Sequence, residues 1–231
     1  MRNTPELYRI QEEIASQAVI KDTLSLGELT LIAGVDQAFL YQSKAQNGLK
    51  AEKIISALVV LEYPSLKLVE HSYTVMPVDF PYIPGLLSFR EAPVIINTYQ
   101  TLNHKPDLLL IDGCGINHPR FAGLATYVGV ILDIATIGVA KNLLCGTGNV
   151  PHTEGEACMI TYQEREVGYY LKSKKDSKPI IIAPGHNISL NTSLELIRTC
   201  IRQHKLPEPL RIAHLYANKV KQNLADQKRT K

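Results

Sequence analysis

DLLLIDGCGINHPRFAGLATYVGVILDIATIGVAK, residues 107–141, decides the fold. A short apolar run, Leu108 to Ile111, ends in Asp112-Gly113. A second run, Thr136 to Ala140, ends in Lys141, and the apolar segment between them is long enough for a helix. Strand, helix, strand is the reading, with a parallel pair buried on both faces. In open sheets of this kind ligands gather where strands end and loops begin. Asp112, His118, Arg120 and Lys141 all fall on such ends.

Upstream, Thr4-Pro5 marks a helix start, and Leu7, Ile10, Ile14 and Ala18 share one helical face. Leu29–Leu40, Glu52–Tyr63 and Leu66–Met76 are strand-like, with Asn47-Gly48 and Pro64-Ser65 as turns. They predict an antiparallel meander. VDFPYIPG, residues 78–85, cannot be a central strand. A helix is expected over Pro93–Leu102. Downstream, Glu156–Gln163 and Val167–Lys172 suggest a hairpin, and Pro179–Ala183 is a buried run. Pro184-Gly185-His186 reads as a loop, Leu190–Gln203 and Pro209–Asn218 as helices, and residues 219–231 as a fraying basic tail. A meander, a helix, then parallel strands flanked by helices make a mixed α/β sheet. That order is the order of a ribonuclease H-like domain.

At 231 residues, 45% hydrophobic and 20% charged, the composition is that of one ordinary globular domain, residues 1–231. A net charge of +3 does not indicate a globally basic nucleic-acid binder, though a local patch fits. Four cysteines without CxxC spacing argue against a zinc site and a disulfide framework. With no signal core and no spanning segment, a cytoplasmic monomer without a membrane role is expected.

In LTLIAGVDQAFL, alternation puts Ile32, Gly34, Asp36, Ala38 and Leu40 on one face. A carboxylate among apolar neighbours is costly unless it is paired or holds a metal, and the small Gly34 and Ala38 leave room beside it. The bland alternative is a turn after Val35. Asp112-Gly113 is likewise a common turn pair. Two acidic strand residues in one sheet say more than either alone, because close carboxylates repel unless a cation lies between them. Oxygen donors favour Mg²⁺ or Mn²⁺. Glu91 fits a capping box with Ser88, but Pro93 argues for a helix beginning near itself, with Glu91 at the helix entrance. An Asp, a His and an Arg within residues 112–120 suggest phosphate handling; a solvated His118 is the plain alternative. Lys141 reads equally as a surface lysine. His186 is a cap or a substrate contact. His214 lies on an apolar helical face, where a core histidine is the default. Pro81-Tyr82-Ile83-Pro84 is a stiff segment that holds an aromatic ring outward, or else an edge loop packed on the core. Such wedges unstack bases.

With these residues assembled, the chain resembles the endonuclease V family, the inosine-directed nucleases of deoxyinosine repair. Four blocks carry the resemblance: IAGVDQAF around Asp36, PYIPGLLSFRE ending at Glu91, DGCGINHPRFAGLA from Asp112 and TIGVAK ending at Lys141. APGHNISL and LPEPLRIAH support it. The resemblance implies a ribonuclease H-like fold and Mg²⁺, with Mn²⁺ as a substitute, held by Asp36, Glu91 and Asp112. It implies that His118 and Lys141 contact the scissile phosphate region or order the attacking water, and that His214 is an active-site histidine. It makes Pro81, Tyr82, Ile83 and Pro84 the wedge, with Tyr82 as its tip. Gly113, Cys114, Gly115 and the loop to His118, with Arg120 beside it, would take the flipped hypoxanthine. The implied reaction is hydrolysis of the second phosphodiester bond 3′ to the lesion by metal-activated water. Four positions depart from the family pattern: Cys114 stands for a larger polar residue, Asn117 for a small apolar one, Phe121 for a basic residue and Tyr127 for a His.

Two other readings fit the same residues. One is a nuclease acting mainly on inosine in RNA or on branched DNA. The other is a non-catalytic binder of distorted nucleic acid, which gains nothing from acidic groups facing phosphate.

Overall fold

The computed structural model describes residues 4–23, 25–41 and 51–229. Eight strands form one sheet in the order β3-β2-β1-β4-β5-β8-β7-β6. The meander is β1 (Leu31–Tyr41), β2 (Ala51–Glu62) and β3 (Leu68–Pro77), antiparallel throughout. β4 (Leu108–Asp112) runs parallel to β1, and β5 (Ala135–Ala140) parallel to β4, with α3 (Leu124–Leu132) as the crossover. β6 (Ala157–Tyr162), β7 (Arg165–Leu171) and β8 (Ile180–His186) complete the sheet with antiparallel pairs. The turn read at Asn47-Gly48 lies outside the described residues.

The quoted stretch behaves as its pattern requires. Leu108 and Leu110 enter one core with Ile32, Ile137 and Val139, under Leu194 and Ile197 of α4 (Leu190–Cys200). Leu109 and Ile111 enter the other, with Ala33 and Val35, under Ala92 and Ile95 of α2 (Leu87–Gln100) and Val128 of α3. A strand apolar at every position is a strand covered on both faces. α1 (Thr4–Gln17) packs on α3, and α5 (Glu208–Arg229) lies against β1 and β2. No helix among the described residues is long and apolar enough to cross a membrane.

Three expectations are corrected. α2 begins at Leu87, so Pro93 sits inside it and Glu91 in its second turn; the N-cap Leu86 makes no side-chain cap, so no capping box forms. Pro93 is on the exposed side of the helix, between buried Ala92 and Val94. Pro184-Gly185-His186 is strand, not loop. The β5–β8 register slips between Thr136↔His186 and Ile137↔Pro184, and this bulge absorbs the proline. The last helix runs to Arg229, through most of the stretch read as a tail.

Candidate active site

Val35 pairs with Ile111 across parallel strands, so Asp36 and Asp112 are the next residues at the same sheet level. Asp36 is inside β1, opposite Ala57, not in a turn. It is 7% exposed. Glu91, also 7% exposed, approaches from α2. Burial pushes the Asp36 carboxyl above the ordinary range, and Asp112 adds to this. Glu91 is pushed up to about 8 by burial, with Asp112 and Asp36 adding and Arg90 opposing. Two buried carboxyls, each raised by burial and by a neighbouring carboxylate, mark a site short of positive charge.

Two side chains engage these carboxylates, one of them a cation. Lys141, just past the end of β5, places Nζ 2.7 Å from Asp112 Oδ2. Burial works against its ammonium, but Asp112, and Asp36 behind it, hold its pKa above normal. His214 of α5 lies with Nδ1 2.7 Å from Asp36 Oδ2. Asn218, one turn on, donates Nδ2–H to His214 Nε2 (3.1 Å) and to the His214 carbonyl (3.0 Å), so the ring donates through Nδ1. His214 is exposed rather than a core histidine, while its helical neighbours Leu210 and Ala217 are buried. The room expected beside Gly34 is taken by α5 itself: a Cβ on Gly34 would lie 2.1 Å from the Pro209 carbonyl oxygen. That glycine lets α5 settle on β1 and bring His214 to Asp36.

The segment Val78–Gly85 has no regular structure and leaves Tyr82 68% exposed. Behind it is a cavity of about 350 Å³, lined by Tyr82, Ile83, Pro84, Gly113 and Cys114, with Asp112 and Lys141 at one side. Burial, then Cys145 and Asp112, push the Cys114 thiol up to about 12, so it faces the cavity as a thiol. Gly115 does not line the cavity; it packs on β8, where a Cβ would meet the Pro184 carbonyl oxygen at 2.2 Å.

The Gly85 carbonyl anchors the end of this segment, and the bond from Arg90 NH1 to the Phe80 carbonyl (2.8 Å) holds its start. Gly85 O accepts from Gln11 Nε2 (3.0 Å), His118 Nε2 (3.1 Å) and Arg120 NH2 (3.0 Å). Gly85 has φ +76°, a backbone only glycine adopts freely. Gln11 also accepts from Arg120 Nε at 2.6 Å, and the guanidinium lies 3.8 Å over the Tyr8 ring. His118 is 3% exposed and its Nδ1 accepts from Arg120 N. Burial, then Arg120, hold its pKa down at about 4 despite the Gly85 bond. His118 therefore borders the cavity as a neutral ring with both nitrogens occupied, and Arg120 is spent on the same clamp. His186 joins Val19 N–H to Asp133, away from the carboxylates. Sequence reasoning missed Gln11 and Asn218. Asn218 stands four residues beyond His214, which is the one local signal; Gln11 is a fully buried amide in an apolar helical stripe.

A model of the Endonuclease V family matches residues 12–215. The chain belongs to the endonuclease V family. It is 40% identical over 220 residues to the endonuclease V of Dictyoglomus turgidum, covering 95% of this chain and 91% of that protein. The endonuclease V structure from Bacillus subtilis superposes with a TM-score of 0.88 at 25% identity, over 98% of this chain and 95% of that one. The Ciona intestinalis endonuclease V, solved with a 24mer DNA containing an inosine followed by a ribo-adenosine, gives a TM-score of 0.79 at 26% identity, over 95% of this chain and 98% of that one. The protein is thus a nuclease, a hydrolase with an α/β fold, and a divalent metal belongs to the family's chemistry.

The donor set fits such an ion: three carboxylates, two on adjacent strands and the third from α2, and no thiolate. As they stand, no three His, Cys, Asp or Glu side chains among the described residues are gathered closely enough to enclose one. Lys141 and His214 occupy one oxygen each of Asp112 and Asp36.

Proposed function

We propose that this chain cuts DNA at deoxyinosine, hydrolysing the second phosphodiester bond 3′ to the lesion, with Mg²⁺ as its ion and Mn²⁺ as a substitute. The observation that carries the reading is the cavity between the exposed Tyr82 segment and the Asp112–Lys141 pair. A base drawn out of a duplex needs a wedge to open the stack, a pocket to receive it and chemistry beside the pocket. The inosine-bearing DNA held by the Ciona relative agrees with it.

Asp36, Glu91 and Asp112 would hold the ion. Bound there, Mg²⁺ would lower the pKa of the attacking water and offset charge on the phosphate. Lys141 carries a fixed positive charge at the edge of the cavity, where it favours the more negative transition state. His214, fixed by Asn218, orients Asp36. His118 and Arg120 act through Gly85, setting where the wedge stands relative to the carboxylates. Gly113 and Cys114 would border the base, and the neutral thiol permits close approach.

The test is a labelled duplex with one deoxyinosine, incubated with Mg²⁺ or with EDTA, beside Asp36→Ala. A nick one nucleotide beyond the lesion, lost with EDTA and with the variant, is the expected result. Binding without a nick in any lane would sink the reading. Inosine in RNA is the second reading, favoured by the ribo-adenosine that follows inosine in the Ciona complex. Matched DNA and RNA oligonucleotides, each with one inosine, separate the two by rate.

A further inference from the structure

We infer that a row of lysines beyond Lys141 binds the phosphodiester backbone of the nucleic-acid strand in the site. This rests on the reading of the substrate as nucleic acid and adds where the strand runs. Ala140 pairs with Ile181, and Leu171 with Ile180, so β5 and β7 both stop beside the start of β8. Lys141 follows β5, Lys172 follows β7, and Lys178 precedes β8 by two residues. All three therefore lie at one end of the sheet. Adjacent strands are about 4.8 Å apart, so the row spans roughly 10 Å, enough for about two successive phosphates of a strand.

A fourth lysine joins from the other side. Lys205, in the α4–α5 connection, is held to this corner by the bond from Ser173 Oγ to its carbonyl (2.7 Å). Lys172 is steered by its own bond to the Ser177 carbonyl, 2.6 Å. Burial, and then Lys141, Lys178 and Lys172, lower the Lys205 pKa, so the four ammonium groups feel one another. Among the described residues Lys172, Lys178 and Lys205 make no ion pair; nearby Glu154 is taken by Lys174, and Glu208 by Arg211. Asp176, the acid within the β7–β8 connection, forms no ion pair with the row among the described residues. Repulsion held in place next to a phosphate-cutting site is relieved by a polyanion. The row begins at the lysine that touches Asp112, so a strand lying on it passes the carboxylates.

The experiment uses the full chain in EDTA and a fluorescent single strand, with and without one inosine. Affinity is measured from 50 to 200 mM salt, roughly the range over which phosphate contacts are lost. Lys178→Ala/Lys205→Ala should flatten the slope of log K against log salt by about 1 to 2, and by the same amount on both strands. Its melting temperature should hold or rise, since the change removes repulsion. Lys178→Arg/Lys205→Arg should keep the parent's slope. An alanine variant with the parent's slope on both strands would overturn the inference. Because the unmodified strand carries the test alone, it survives a failure to nick deoxyinosine, which would tell only against the substrate reading.

Discussion

Two clusters of polar side chains lie side by side in this protein, and they are built on opposite principles. Around Gly85 donors and acceptors meet: three side chains donate to one carbonyl, and Gln11 donates to Gly85 and Ser88 while accepting from Arg120. At Asp36, Glu91 and Asp112 the acceptors outnumber the cations, and Glu91 is driven towards its neutral form. A satisfied network stiffens what it touches. An unsatisfied one stores free energy that a ligand can release. The fold thus uses one cluster to keep a loop still and leaves the other incomplete for an ion and a phosphate.

The contrast is broken most severely at Glu91. Glu91→Gln should lower cleavage by about 10³-fold, several kcal/mol of transition-state stabilisation. In EDTA at neutral pH the same variant should melt higher, by about 2–6 °C, because the folded parent must hold a proton on Glu91 that the unfolded chain releases, and the amide has none to hold. A lower melting temperature would mean that the carboxylates are already balanced. The clamp predicts the reverse, a loss of stability with every change, and His118 shows it through pH. Its folded pKa of about 4 lies below the ordinary 6.5, so the unfolded chain binds a proton more readily between those values. Its contribution is complete above pH 6.5 and is lost as pH falls towards 4, by about 3 kcal/mol at most. In urea unfolding at pH 4.5 and 7.5, the parent should lose about 2–3 kcal/mol more than His118→Gln does. Equal losses would show that the ring is not held neutral.

The same division governs what could be read from the sequence. The β4–α3–β5 unit was legible because its residues alternate between two cores, so pattern alone set strand and partner. Asp36 and Asp112 were legible because charge is conspicuous in such strands. Glu91 was placed near them for a mistaken reason, since the rule against an interior proline ignores which way the proline faces; Pro93 faces water. Pro184-Gly185 misled in the same way, because a bulge in a central strand is set by its neighbour, not by its own residues. On local spacing with Leu210 and Ala217 His214 reads as core, and only the resemblance implied an active-site histidine; its ring lies exposed, 2.7 Å from Asp36. The clamp was least visible. Gln11 acts on residues 74 and 109 positions away, and no local pattern announces partners at that range.

The smallest effect belongs to the residue the clamp presents. Tyr82 is exposed and has no hydrogen-bond partner among the described residues, so Tyr82→Ala should change stability by less than about 0.5 kcal/mol. If the ring parts a duplex, its loss should weaken binding of a deoxyinosine duplex by about tenfold, near the lower end of what one stacked base contributes, and affect a single strand far less. If the ring instead stacks on the base inside the cavity, duplex and single strand should suffer alike. Tyr82→Phe keeps the flat face in both cases and should behave as the parent does. A defect in the phenylalanine variant would move the role to the hydroxyl, which a wedge does not need.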